Sequence, residues 1–135
     1  MAPRTFSAGK VALGSGAPLF VIAGPCVIES EAHVSMLADR LGAAASELAV
    51  PLIFKASFDK ANRTSVSSYR GPGLKEGLRI LAAIGKRTGL PILSDVHEVS
   101  QVAPAAEVCD VLQIPAFLCR QTDLLVAAGK TGRAV

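Results

Sequence analysis

Four short apolar runs punctuate the chain: Pro18 to Ala23 (PLFVIA), Pro51 to Ala56 (PLIFKA), Pro91 to Ser94 (PILS) and Val111 to Ile114 (VLQI). None shows the strict apolar–polar alternation of a strand wetted on one side, so each predicts a strand buried on both faces. The stretches between them carry helical spacing instead. After the first run, Ser30 is a candidate N-cap for a helix in which Val34, Leu37, Ala38, Leu41, Ala45 and Leu48 recur as a single apolar stripe. After the second, Gly73 opens a segment whose Leu74, Gly77, Leu78, Leu81, Ala82 and Gly85 share a face, and Gly89 and Pro91 supply its stop signals. Ser100 to Glu107 and Gln121 to Ala128 predict two more helices, the first short or broken at Pro104, which has no N–H to give the helix. Ahead of all this, Lys10 to Leu13 predicts a small strand or hairpin as an N-terminal β extension.

The pattern is βα repeated four times, which predicts an α/β fold around a parallel sheet. Two architectures satisfy it: an open doubly wound sheet, or the first half of a (β/α)8 barrel, which typically needs about 250 residues. Gly132 to Val135 stands where a fifth strand would begin after a helix and a glycine. No linker, low-complexity tract or charge block divides the chain, so residues 1–135 are expected to form one domain or part of one.

Composition narrows the function classes. With 135 residues, 50% hydrophobic and 19% charged, the chain has ample material for a packed core, and this excludes disorder as its main state. Fourteen Lys and Arg against 11 Asp and Glu leave a net charge of +3 spread along the chain, and aromatics make up only 4%. That gives neither the basic patch nor the stacking rings of a nucleic-acid binder. Cys26, Cys109 and Cys119 are odd in number and set among apolar neighbours, which fits a reducing, cytoplasmic setting better than a disulfide framework. The opening MAPRTFSAGK lacks the apolar core of a signal peptide, and the most apolar stretch is interrupted by Gly24 and Pro25, so no membrane span is expected.

In parallel α/β folds the chemistry gathers where strands end, because the loops that follow share one rim. Here those loops read AGPCVIES (Ala23 to Ser30), KASFDKANRTS (Lys55 to Ser65), SDVHE (Ser94 to Glu98) and QIPAFLCRQTD (Gln113 to Asp123). Lys55, Lys60, Arg63 and Arg120 would lie near one mouth with Asp95 among them, which suits a small polyanionic substrate; the plainer alternative is solvated surface charge. Asn62, Arg63, Thr64 and Ser65 form a run of donors suited to phosphate oxygens, though such a run also makes an ordinary turn. Cys26 reads either as an inert buried thiol or as a metal ligand. His33 and His97 read as ordinary polar residues, Cys109 and Cys119 as packing residues, and Asp59 beside Lys60 as a surface ion pair. Gly71-Pro72-Gly73 reads as a helix entrance and matches neither the dinucleotide nor the P-loop pattern.

Taken together, AGPCVIES, FKASFDKANRTS, SYRGPGL (Ser68 to Leu74), SDVHE and LQIPAFLCRQTDLL (Leu112 to Leu125) follow one another in an order and spacing that resembles the 3-deoxy-D-manno-octulosonate 8-phosphate synthase family, from about Val11 to Val135. The resemblance implies a TIM barrel, of which this chain is the N-terminal half, usually assembled as a homotetramer. It implies condensation of phosphoenolpyruvate with D-arabinose 5-phosphate and water, a step in lipopolysaccharide biosynthesis. It further implies that Lys55 and Lys60 contact the phosphoenolpyruvate carboxylate and the sugar, and that Gln113 and the Ala116 N–H hold its phosphate. Asn62, Arg63, Thr64 and Ser65 would receive the arabinose phosphate, with position 64 varying between Ser and Thr in the family. Asp95 would contact the sugar side or a metal-bound group, with Lys60 the second catalytic residue, and Arg120 would reach a phosphate in a neighbouring subunit. Cys26 marks the branch that uses a divalent metal ion, the remaining ligands (a His, a Glu and an Asp) being expected beyond Val135. Two alternatives stand beside this: the related 3-deoxy-D-arabino-heptulosonate 7-phosphate synthase, which typically shows Lys-Pro-Arg-Thr-Ser where this chain has Lys60-Ala61-Asn62-Arg63-Thr64-Ser65, and a half barrel that is not catalytic alone.

Overall fold

The structure, a computed structural model, describes residues 5–135; the first four residues of the N-terminal stretch read above lie outside it. The chain opens with an antiparallel hairpin, β1 (Thr5–Ala8) and β2 (Val11–Gly14). Four βα units follow: β3 (Val21–Ala23) with α1 (Glu31–Glu47), β4 (Leu52–Lys55) with α2 (Leu74–Thr88), β5 (Ile92–Asp95) with α3 (Val99–Val108), and β6 (Val111–Gln113) with α4 (Thr122–Lys130). A 3-10 turn, Ala116–Leu118, separates β6 from α4.

β4 and β5 each begin one residue later than the apolar run that predicts them because a proline stands at the entrance. Pro51 and Pro91 cannot donate to the ladder, yet their carbonyls accept from Val21 N–H and Phe54 N–H, both at 2.8 Å, so each proline precedes its strand rather than joining it. All four strands pair in parallel, in the order β3-β4-β5-β6. Sheet order is therefore chain order, without the reversal that a doubly wound sheet requires.

Alternation along each strand divides the sheet into two layers. Phe54, Ile92 and Leu112 point into the main core, where they meet Val34 and Ala38 of α1, Leu81 and Ile84 of α2, Val102 and Ala105 of α3, and Leu124 and Ala128 of α4. The neighbouring positions Ile53 and Leu93 face the other way and meet no helix; Ala8, Val11 and Leu13 of the hairpin cover them. The expectation of strands buried on both faces holds for β4 and β5 and is corrected for β3, where Val21 is 41% and Ile22 47% exposed. β3 is an edge strand with only β4 beside it.

Ser30 caps α1 as expected, its hydroxyl accepting from His33 N–H at 3.2 Å. Leu48 is corrected: it is the C-cap residue and lies 72% exposed, past the turn where the stripe faces the sheet. Ala82 of α2 is likewise exposed, and Ile80 and Ile84 fill the core instead. Pro104 does not break α3, which runs through it from Val99 to Val108. No helix among the described residues is long and apolar enough to cross a membrane.

Candidate functional site

At the strand ends the helix-free face changes character. Lys55, Asp95 and Gln113 are the last residues of β4, β5 and β6, and by parity they lie on the same face as Ile53, Leu93 and Val111, one step further along. A polar layer thus caps an apolar one. Asp95 sits opposite Gln113 in the parallel register.

Asp95 is the hub of this layer. Its side chain is 10% exposed; one carboxylate oxygen accepts from the Ser57 hydroxyl and the other lies 3.1 Å from His97 Nε2. Burial pushes the carboxyl upward, but the bonds from His97 and Ser57 and the charge of Lys55 outweigh it and hold Asp95 below the usual carboxylate range. His97 is displaced the other way: the bond to Asp95 raises its proton affinity against the opposing effect of burial, with Asp59 adding attraction and Arg70 repulsion. Both partners favour their charged forms. The imidazole is held at a fixed angle, with the Phe58 ring edge-on at 6.5 Å and the His97 main-chain N–H donating to Gln101 Oε1 at 2.8 Å. Its Nδ1 is buried without a partner.

The loop after β3 is pressed against β4. Gly24 has φ +154, and a Cβ there would stand 1.8 Å from the Lys55 carbonyl oxygen, so this crossing admits glycine alone. Further on, Ile28 N–H donates to Ser57 O at 3.0 Å. Cys26, between these anchors, is exposed.

The loop after β4 carries the donor run. Lys60 and Arg63 are half-buried; Asn62, Thr64 and Ser65 are exposed. Arg63 Nε donates to Ser65 O at 3.4 Å, while Arg63 Nη1 is buried without a partner. At the neck of the loop, Arg70 forks onto Asp59 at 2.6 and 2.7 Å. The Lys60 N–H donates to Arg70 O at 2.6 Å, and the Tyr69 hydroxyl donates to Ile28 O at 3.1 Å. Asp59 therefore pairs with Arg70 and not with Lys60, a correction whose cause is the fold-back of Arg70 onto the start of the loop.

Lys55, Asp95 and Gln113 are thus brought onto one face, and the Lys60–Ser65 loop leaves from the end of the same β4. Ala116, in the 3-10 turn, and Arg120 are exposed on the loop after β6, with no side-chain bond from Arg120 to the other site residues. Cys109 is a packing residue, its thiol pushed up to about 12 by burial and then by Asp110. Cys119 is exposed, correcting its reading as a packing residue. His97 was legible only as an ordinary polar residue; the signal that identifies it is its place two residues past Asp95, across a strand end, where the two side chains can meet.

Cys26 offers one exposed thiol, and the described residues contain no group of three or more His, Cys, Asp or Glu able to hold a metal ion. A lone thiolate does not make a zinc-type or other divalent centre. The donors in this chain do not fit a metal by themselves, and no chemical step is routed through one.

The chain is 60% identical over 132 residues to a 2-dehydro-3-deoxyphosphooctonate aldolase of Citrifermentans bemidjiense, a match covering 98% of this chain and 48% of that protein. Proteins of the same name from Syntrophotalea carbinolica and Geobacter metallireducens are each 61% identical, with the same coverage. The chain therefore spans about half the length of these curated relatives. A family model described as the DAHP synthetase I family matches residues 3–135. Since that match takes in every loop of the strand-end rim, the chain belongs to the DAHP synthetase I family.

Proposed function

We propose that this chain is the first half of a 3-deoxy-D-manno-octulosonate 8-phosphate synthase, the activity named for its relatives. It would condense phosphoenolpyruvate with D-arabinose 5-phosphate and water to give the eight-carbon sugar acid phosphate and inorganic phosphate. The observation that carries this reading is the meeting on one rim of the Lys55–Asp95–Gln113 layer with the Lys60–Ser65 donor loop.

In the proposed reaction, phosphoenolpyruvate C3 attacks the aldehyde carbon of the sugar. C2 acquires cationic character and is captured by water, and phosphate then leaves by C–O cleavage. Two anionic substrates repel each other in water, and holding them in attacking geometry is the main task of the site. Lys55 and Lys60 would neutralise the phosphoenolpyruvate carboxylate, while Gln113 and the Ala116 N–H hold its phosphate. Asn62, Arg63, Thr64 and Ser65 would receive the sugar phosphate; the unpaired, buried Arg63 Nη1 supports this role. Asp95, held ionised, is suited to accept from a sugar hydroxyl and to stabilise positive charge at C2, not to donate a proton.

The same reading makes the sheet one half of a (β/α)8 barrel domain, with the remaining strands in the length that the relatives have and this chain does not span. The chain-order sheet and the uncovered edge strand support this. Cys26 would give one ligand to a divalent ion whose other ligands come from that remaining length, and Arg120 would reach a phosphate across an interface of a cytoplasmic homotetramer.

A second reading is favoured by the name of the family itself: a 3-deoxy-D-arabino-heptulosonate 7-phosphate synthase, taking erythrose 4-phosphate. Ala61-Asn62 in the donor loop argues for the five-carbon sugar instead. Phosphate release by the full-length protein with each aldose phosphate separates them. Arabinose 5-phosphate is expected to be much the faster, and the reverse order would sink the proposal.

A further inference from the structure

We propose that Arg70, acting through Asp59, is a positioning residue that holds the Lys60–Ser65 loop in the shape that receives the aldose phosphate. This rests on the reading of that loop as the phosphate receiver.

The connection from Ala56 to Gly73 contains no helix or strand, and it exceeds the ~12–15 residues beyond which such connections are uncommon in compact domains. A loop of this length pays an ordering cost each time it binds unless something orders it beforehand. Within the loop the side-chain bonds are local and exposed: Arg63 Nε to Ser65 O, and Ser65 Oγ to Ser67 Oγ at 2.9 Å. Its attachments to the body are all at the neck. Gly73 N–H donates to Phe58 O at 3.0 Å and Lys60 N–H to Arg70 O at 2.6 Å, so the outgoing and returning arms are zipped together. Phe58 is itself fully buried, which anchors the outgoing arm in the core.

Arg70 closes this zipper twice, with its carbonyl on Lys60 and its guanidinium on Asp59. An exposed ion pair would contribute little. The Arg70 side chain is itself 58% exposed, but the pair is bidentate and its carboxylate only 15% exposed, so what it contributes is direction as well as distance rather than a large energy. Glu98 adds attraction for the guanidinium from the start of α3. A lysine at position 70 would keep the charge but lose the fork. The Tyr69 hydroxyl, one residue earlier, ties the same arm to the carbonyl of Ile28 on the loop that carries Cys26. The two loops are thus held in a fixed relation through adjacent residues of one arm.

The test uses the full-length protein that carries this chain, with Asp59→Asn, Arg70→Lys and the exchanged pair Asp59→Arg with Arg70→Asp. Hydrogen exchange at the Lys60 amide, followed by NMR, is measured beside the KM for each substrate. Each single variant is expected to speed exchange at Lys60 about tenfold and to raise the KM for arabinose 5-phosphate about tenfold, with a smaller change in kcat. The exchanged pair is expected to recover part of both. Unchanged exchange in the single variants overturns the proposal, and so does faster exchange with an unchanged KM for the aldose phosphate. If the protein turns over no aldose phosphate at all, the functional reading fails, and exchange at Lys60 still decides whether Arg70 holds the loop.

Discussion

Asp95 and His97 hold each other's charge, and this ties the rim to pH. The Asp95 carboxyl lies below its ordinary 3.8, so its contribution to stability is present above that value and is lost as pH falls through the lowered one. His97 lies above its ordinary 6.5, so its contribution is full below 6.5 and is lost as pH rises through the raised value. Both contributions are complete only between these two ordinary values. Replacing His97 by Gln keeps a donor for Asp95 but removes the titration. Urea melts at mildly acidic and mildly alkaline pH should show the wild type losing stability on the alkaline side relative to His97→Gln; parallel pH profiles would refute the coupling. At this scale the sequence is legible where chemistry follows from position, as with Asp95 at a strand end. Ser57 was not legible, because its bond to Asp95 spans 38 residues and exists only once β4 and β5 lie side by side.

Two glycines show how packing overrides the intrinsic preferences of a helix. Glycine in a helix interior costs about 1 kcal/mol relative to alanine, so propensity alone favours alanine at both Gly77 and Gly129. In α2, however, a Cβ at Gly77 would stand 2.3 Å from the Cβ of Phe58, where the helix crosses the buried root of the donor loop. In α4 a Cβ at Gly129 meets nothing within 4 Å. Gly77→Ala is expected to destabilise by about 1–3 kcal/mol through overpacking, and Gly129→Ala to stabilise by up to about 1 kcal/mol. Thermal melts of the two variants check this, and equal shifts of one sign would contradict it. All four βα units and the Ser30 cap could be read from spacing and end signals because those are local. The path of α3 through Pro104 could not: only the Ser100 carbonyl loses its helical partner there, and burial of Val102 and Ala105 against the sheet holds the helix together across the gap.

Seen whole, the molecule has a helix-covered face that is closed and a second face that is not. Phe6, Ile22, Ile53, Leu93, Val111 and Ile114 line an apolar groove of about 480 Å³ on that second face, partly roofed by the hairpin. Apolar surface of this kind, next to an unpaired β3 edge, favours association. Expressed alone, the chain is expected to enhance the fluorescence of an apolar dye and to sediment as more than a monomer, while a protein completed to the length of its relatives does neither; a dye-silent monomer would contradict this. Sequence pattern gave no sign of which face would stay open, since apolar runs look the same whether a helix, a hairpin or a further strand covers them. The division of labour between the faces has one more consequence. Neighbouring residues of β5 serve different layers, Ser94 bonding the Ala56 carbonyl on the scaffold side while Asp95 serves the rim. Loss or gain of a single residue inside β5 would exchange the two and erase the chemistry while leaving composition almost untouched. The tolerance of this chain to length variation is therefore set by parity within strands, and change in length can be accommodated only where no strand counts it.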